Sequence, residues 1–249
     1  MRDQIDTIPV SEAFEAGGEC PFCHLERQAE QRAMRYTLGP GASYMEPDVR
    51  AVTDSRGFCR EHFKKMYDYG NSLGNALVMQ TYFVGLLKEM EQQTSSFVMP
   101  GKRKFLSKQP AEETELLRWA NEKNSTCFLC EKLTYNMNRY YTTFFYMIKD
   151  ASFREKVESG KGFCMHHFAQ LLEAAREKLP NAQREWFYET VCRLMKENLV
   201  RVQCDLDWFI EKFDYRNANA DWKNSRDAVS RSMQKLRGGF PSDIPYRQK

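Results

Sequence analysis

No apolar run in this 249-residue sequence approaches the roughly 20 residues that span a bilayer. The strongest candidate, residues 76–87, is interrupted by Gln80 and Thr81 and reads as a core helix. The opening residues are polar and acidic, without a basic stretch, an apolar segment and a small-residue cleavage site, so the expected compartment is the cytoplasm and no membrane insertion is expected. Charge of one sign is also missing. The 37 basic and 34 acidic side chains leave a formal net charge of +3, too little to indicate a nucleic-acid partner by itself. Only the C-terminal end leans basic, through Arg226, Arg231, Lys235, Arg237, Arg247 and Lys249. We read it as a solvated helix face and tail, with a nucleic-acid-binding end as the alternative.

Chemical signatures are absent as well. There is no Gly-rich phosphate loop, no His-Glu-x-x-His helix and no Gly-x-Ser-x-Gly elbow. The acids Asp205, Asp207, Glu211 and Asp214 lie among aromatics at helical spacing, which makes them a solvated face rather than an acid/base pair. No period-two alternation marks a strand. What remains is an all-α protein with no expected catalytic residues.

What the sequence does contain is cysteine in a repeated pattern. Six of its eight cysteines fall in two copies of one arrangement: Cys20-x-x-Cys23 followed by Cys59-x-x-His62, and Cys127-x-x-Cys130 followed by Cys164-x-x-His167. Cys127 stands 107 positions after Cys20, and Cys164 stands 105 after Cys59, so the register slips by only two residues. Self-similarity of this kind means that one supersecondary unit occurs twice. Cys192 and Cys204 lie outside the pattern and read as small apolar residues on or near a helix core face.

Three thiolates and one imidazole per copy match a closed tetrahedral zinc site. The expected ligand sets are Cys20, Cys23, Cys59 and His62 in the first copy, and Cys127, Cys130, Cys164 and His167 in the second. In the distal half of each set a helix begins at the cysteine, so positions i and i+3 share a face and can converge on one ion. Backbone N–H groups at such a start favour the thiolate. His166 is a competing ligand to His167, but the first copy has Glu61 at that position and His62 next. Zn2+, two per chain, is the expected cofactor; an iron–sulfur cluster is the alternative, because ligand type alone does not separate the two. The "CPFCH" stretch also matches a haem-attachment pattern, against which the second copy has Glu131 in place of His24. Arg56, Arg60 and Lys64 flank one site and Lys161 the other, where they are expected to offset the net negative charge of a zinc with three thiolates.

Helical periodicity predicts helices over 24–36, 48–53, 60–69, 73–90, 112–122, 129–148, 152–157, 165–178, from 186 to about 213, and 221–236. In the helix at 73–90, Leu77, Phe83, Leu86, Leu87 and Met90 are the expected buried side. The expected organisation is a first repeat at 1–96, a connection at 97–111, a second repeat at 112–214, and a C-terminal helix with an irregular tail at 215–249. Phe240 and Tyr246 are the residues through which that tail would dock.

Taken together, "CPFCHLE", "GFCREHF", "CFLCEK", "GFCMHHF" and "FIEKFDYR" resemble an uncharacterised bacterial family, common in anaerobic Firmicutes and catalogued as a domain of unknown function. The resemblance covers residues 10 to 237 and implies no activity. The second copy lacks the proline of "CPFC", which leaves the ligands intact but is expected to loosen that turn. The resulting expectation is a zinc-stabilised helical binding, scaffold or regulatory protein acting on a protein or small-molecule partner, with a redox protein as the rival.

Overall fold

The computed structural model describes residues 6–99 and 113–243. Among these there is no β-strand, and there are eleven α-helices with three short 3-10 turns between some of them. They are α1 (Thr7–Glu15), α2 (Pro21–Leu38), α3 (Pro47–Arg56), α4 (Arg60–Tyr69), α5 (Ser72–Ser95), α6 (Glu115–Ser125), α7 (Phe128–Met147), α8 (Ala151–Glu158), α9 (Met165–Lys178), α10 (Arg184–Glu211) and α11 (Ala228–Arg237). Local chemistry explains most of the boundaries. Pro47 opens α3 at a position that needs no N–H donor. Asn71, Thr114 and Asp150 accept backbone N–H groups at the starts of α5, α6 and α8. Gly70, in the left-handed region, ends α4. No helix among the described residues is long and apolar enough to cross a membrane.

The chain forms two compact units, and neither is a contiguous repeat. Among the described residues, one contains 6–29 together with 135–243, and the other contains 30–99 together with 113–134. Each therefore takes one Cys-x-x-Cys from one copy and one Cys-x-x-His from the other. The expected division at 1–96 and 112–214 follows the duplication in sequence, whereas the packing crosses it. Most of the connection expected at 97–111 lies outside the described residues.

The first unit is built on aromatic rings. Phe14 stacks on Phe144 with centroids 5.7 Å apart, and Phe22 lies edge-on to Phe144 and tilted against Phe163 and Tyr141. Phe145 and Phe187 extend the cluster toward α10. Helix α1, which the periodicity did not predict, supplies Phe14, Val10 and Ala13 to this core. Along α10 the stripe Phe187, Val191, Leu194, Met195 and Val202 is buried as expected, but Phe213 is exposed. Cys192 and Cys204 are also exposed, because they fall on the face of α10 away from that stripe.

The second unit packs Ala33, Met34 and Leu38 of α2 against Phe58, Met66, Val78, Phe128 and Leu129. In α5 the expected buried side is corrected: Phe83, Leu87 and Met90 are exposed, and the buried positions are Gly74 and Val78. Helix α3 packs against α5, and α6 is tied to it through Trp119 Nε1 and Lys123 Nζ, which bond Glu89.

The expected helix at 221–236 begins only at Ala228. Before it, the buried Lys212 ammonium donates to the carbonyls of Asn217, Ala218 and Ala220, which coils the chain into a turn and gives the "FIEKFDYR" lysine a structural role. Part of the basic C-terminal end is turned inward, while Arg226 and Arg237 are exposed. Lys235 is buried, and Arg231 pairs with Asp205 and Asp227. Phe240 packs under the Arg27 guanidinium; Tyr246, Arg247 and Lys249 lie outside the described residues.

Candidate metal centres

All four cysteine-led motifs are built the same way. Cys20, Cys59, Cys127 and Cys164 each stand one residue before a helix, and each carbonyl accepts the first helical hydrogen bond, from His24, Phe63, Glu131 and Phe168 N–H. The second donor of each pair, Cys23, His62, Cys130 or His167, lies three residues on, in the first turn. The N–H of His167 points at Cys164 Sγ and that of Cys130 at Cys127 Sγ, a contact that stabilises negative charge on sulfur. Gly57 and Gly162, both at positive φ, turn the chain sharply into the two "GFC" starts.

The eight predicted donors come together in two clusters, but the partners are exchanged. Cys20 and Cys23 meet Cys164 and His167; Cys59 and His62 meet Cys127 and Cys130. The expected sets, Cys20, Cys23, Cys59 and His62 and Cys127, Cys130, Cys164 and His167, are thereby corrected. Helix length is the physical reason. From Cys23 to Leu38, the end of α2, the helix carries the chain about 22 Å at 1.5 Å per residue, and the 10 residues of α3 return only about 15 Å. The chain comes back beside the middle of α2, where Glu30 meets His62, and not at its start. Each proximal pair is completed by the distal pair of the other copy.

The two clusters are nearly superimposable in their distances. His167 Nδ1 lies 3.5, 3.4 and 3.2 Å from the sulfurs of Cys20, Cys23 and Cys164. His62 Nδ1 lies 3.2, 3.3 and 3.3 Å from those of Cys59, Cys127 and Cys130. The measured sulfur pairs are 3.6 Å apart for Cys23 and Cys164 and 3.8 Å for Cys59 and Cys130. Metal–sulfur bonds near 2.3 Å and metal–nitrogen bonds near 2.05 Å in a tetrahedron give edges of about 3.8 Å and about 3.6 Å. The donors fit one small tetrahedral ion in each cluster. His166 is exposed and lies outside both cysteine clusters; with Glu26 and His167 it forms a third, acid-and-histidine group.

The imidazole nitrogens that face away from the sulfurs meet carboxylates. His62 Nε2 lies 3.3 Å from Glu30, and His167 Nε2 lies 3.6 Å from Glu26. Neither contact is aligned as a hydrogen bond, so their effect is electrostatic orientation of the ring. Both acids belong to α2, one turn apart, a signal readable in the sequence that the motif spacing did not expose.

Electrostatics couple the donors. Burial pulls the His62 pKa down, but the adjacent Cys127 sulfur and Glu30 raise it to about 10. His167 is likewise raised to about 10 by Cys164 and Cys20 against its own burial. Cys127 is lowered to about 6, because the His62 hydrogen bond and backbone N–H groups outweigh its burial. Burial and the neighbouring Cys127 push Cys130 up to about 12. Hydrogen bonds from Cys20 and Cys23 lower Cys164, and the hydrogen bond to Cys164 raises Cys23. In the metal-free protein each cluster thus combines thiolate and imidazolium character, and an arriving cation displaces protons.

Three of the four cations expected beside the sites have partners other than the donors. Arg56 pairs with Glu131, Lys64 with Asp68, and Lys161 Nζ donates to Gly17 O. The cation close to the first cluster is Lys235, whose buried ammonium bonds the carbonyls of Glu19 and Lys161 and pairs with the Glu19 carboxylate. Burial lowers its pKa, and Glu19 opposes that shift.

The chain belongs to a family of unknown function, DUF6062, whose model matches residues 1–243. No curated protein and no solved structure matches it.

Proposed function

We propose that this member of the family is a two-zinc helical protein in which both ions are structural, and that it acts by binding a protein or small-molecule partner rather than by catalysis, in the cytoplasm. The observation that carries this reading is that each cluster supplies four protein donors at tetrahedral spacing. A catalytic zinc keeps one coordination position for water or substrate, and four protein donors fill all of them. Each ion would clip two helix starts that are remote in sequence, Cys20/Cys23 with Cys164/His167 and Cys59/His62 with Cys127/Cys130. Structural zinc contributes roughly 10–16 kcal/mol in small peptides at neutral pH. Set against a domain stability of about 5–15 kcal/mol, either ion is large enough to decide whether its unit folds.

The spacing also weighs against the iron–sulfur rival. All four donor atoms of each cluster lie within 4.8 Å of one another. That suits a single ion, whereas ligands to a cluster surround several iron and sulfide atoms. The test is elemental analysis and an absorption spectrum of the full chain purified without oxygen. A colourless protein with two zinc ions per chain is the expected result. Iron with acid-labile sulfide, or no metal at all, would overturn the reading.

A further inference from the structure

The two clusters share a donor set but not an exposure. Cys20, Cys23, Cys164 and His167 are each at most 1% exposed. In the other cluster Cys127 and His62 are buried, Cys59 is half-buried, and Cys130 lies at the surface. The two least buried cysteines of the cluster, Cys59 and Cys130, are also a pair whose sulfurs lie 3.8 Å apart. A disulfide sets its sulfurs about 2 Å apart, so a shift smaller than 2 Å joins them.

We propose that the Cys59–His62–Cys127–Cys130 cluster is an oxidation site: hydrogen peroxide converts Cys59 and Cys130 to a disulfide and the cluster releases its ion, while the buried cluster keeps its own. The proposal rests on the metal-binding reading above. The sulfur of Cys130, the most exposed residue of the cluster, attacks the peroxide, the O–O bond breaks, and the displaced hydroxide takes a proton to leave as water. The sulfenic acid left on Cys130 is then attacked by the Cys59 sulfur; the S–S bond forms, the S–O bond breaks, and the second hydroxide leaves as water with another proton. The two thiolates lose two electrons and the peroxide gains them. Two of the four donors are consumed, and the remaining pair, Cys127 and His62, is too few to hold a structural ion.

The choice of partners has a consequence for the fold. Cys59 precedes α4 and Cys130 lies in the first turn of α7, so their disulfide links the same two helix starts that the ion clips. A Cys127–Cys130 bond would join two residues of one motif and link nothing else, and Cys127 is only 3% exposed. Oxidation at the surface pair therefore exchanges an ionic closure for a covalent one.

The experiment uses the full-length, metal-loaded chain with Cys192→Ser and Cys204→Ser, which removes the two other exposed thiols. Metal is counted before treatment, hydrogen peroxide is added with a chromogenic chelator present, and disulfides are mapped by mass spectrometry without reduction. Release of one ion of the two, together with a Cys59–Cys130 cross-linked peptide, is expected. Dithiothreitol and added zinc should restore the second ion. Release of both ions together, first release from the Cys20 cluster, or a Cys127–Cys130 link would overturn the proposal. A chain without metal before treatment would reject the metal reading itself, and the peptide map would then decide the disulfide chemistry alone. Adding Cys130→Ser must abolish the cross-link; if that variant does not fold, the map of the parent chain stands as the deciding result.

Discussion

The two clusters use the same donor types at paired helix starts, α2 with α9 and α4 with α7, yet they are closed by different means. In the Cys59 cluster the starts are tied directly: Thr126 Oγ1 donates to Arg56 O at 2.8 Å and Phe128 N–H donates to Gly57 O at 3.0 Å. In the Cys20 cluster Pro21 occupies the position corresponding to Phe128 and has no N–H to give. There Lys235 Nζ joins the carbonyls of Glu19 and Lys161 from a third helix, α11. Gly238, just after α11, lies directly over the sulfurs; a Cβ there would stand 3.2 Å from Cys164 Sγ and 3.5 Å from Cys23 Sγ. The duplicated unit specifies the donors, and an element outside the duplication decides which cluster is sealed. The proline missing from the second copy does not leave a weak turn, because the N–H of Phe128 supplies a bond that proline could not.

The largest effect that would break this comparison concerns the exchanged pairing. Cys23→Ser with Cys164→Ser should leave one ion per chain, whereas Cys23→Ser with Cys59→Ser should leave none, as counted by elemental analysis. The opposite outcome would restore pairing within each copy. Next, Lys235→Met removes the ammonium that bonds the carbonyls of Glu19 and Lys161 and should cost about 1–3 kcal/mol, because those carbonyls lose their donor while Arg201 still pairs with the Glu19 carboxylate. Denaturant unfolding should show that loss, and chelator should then strip the Cys20 cluster faster while the other is unchanged.

Gly238→Ala should cost about 1–3 kcal/mol in thermal unfolding, since φ 85° and ψ −169° form a region that essentially only glycine occupies. Thr126→Val should be milder, at about 1 kcal/mol, and confined to metal retention by the Cys59 cluster. Acidity sharpens the same contrast. Below about pH 10 His62 holds a proton, and below about 12 Cys130 does, so an ion entering that cluster at neutral pH displaces at least these two. Its affinity should fall by about a hundredfold per pH unit on acidification, and more steeply below about pH 6, where Cys127 also takes up a proton. Calorimetric titration in buffers of different ionisation enthalpy counts those protons.

Most of the helices and all eight donors were legible because they depend on short-range rules. A Cys-x-x-Cys or Cys-x-x-His at a helix start converges through the geometry of one turn, and periodicity of three to four reports a buried stripe such as Phe187, Val191, Leu194 and Val202. Helix α1 was missed because its nine residues carry only a weak apolar pattern, and the exposed side of α5 was misassigned because that helix is apolar on several faces. Lys235 was read as part of a solvated basic end, since nothing local distinguishes an ammonium that bonds two carbonyls from one in water.

The amino-acid order by itself determined the donor chemistry, its duplication and the all-helical class, because each is written within a few residues of the groups concerned. Which half-sites meet, which cluster α11 and Gly238 cover, and which cysteines stay least buried were decided only by tertiary structure. Those outcomes depend on how far α2 and α7 carry the chain before it turns back, and on contacts between residues as remote as Glu19 and Lys235.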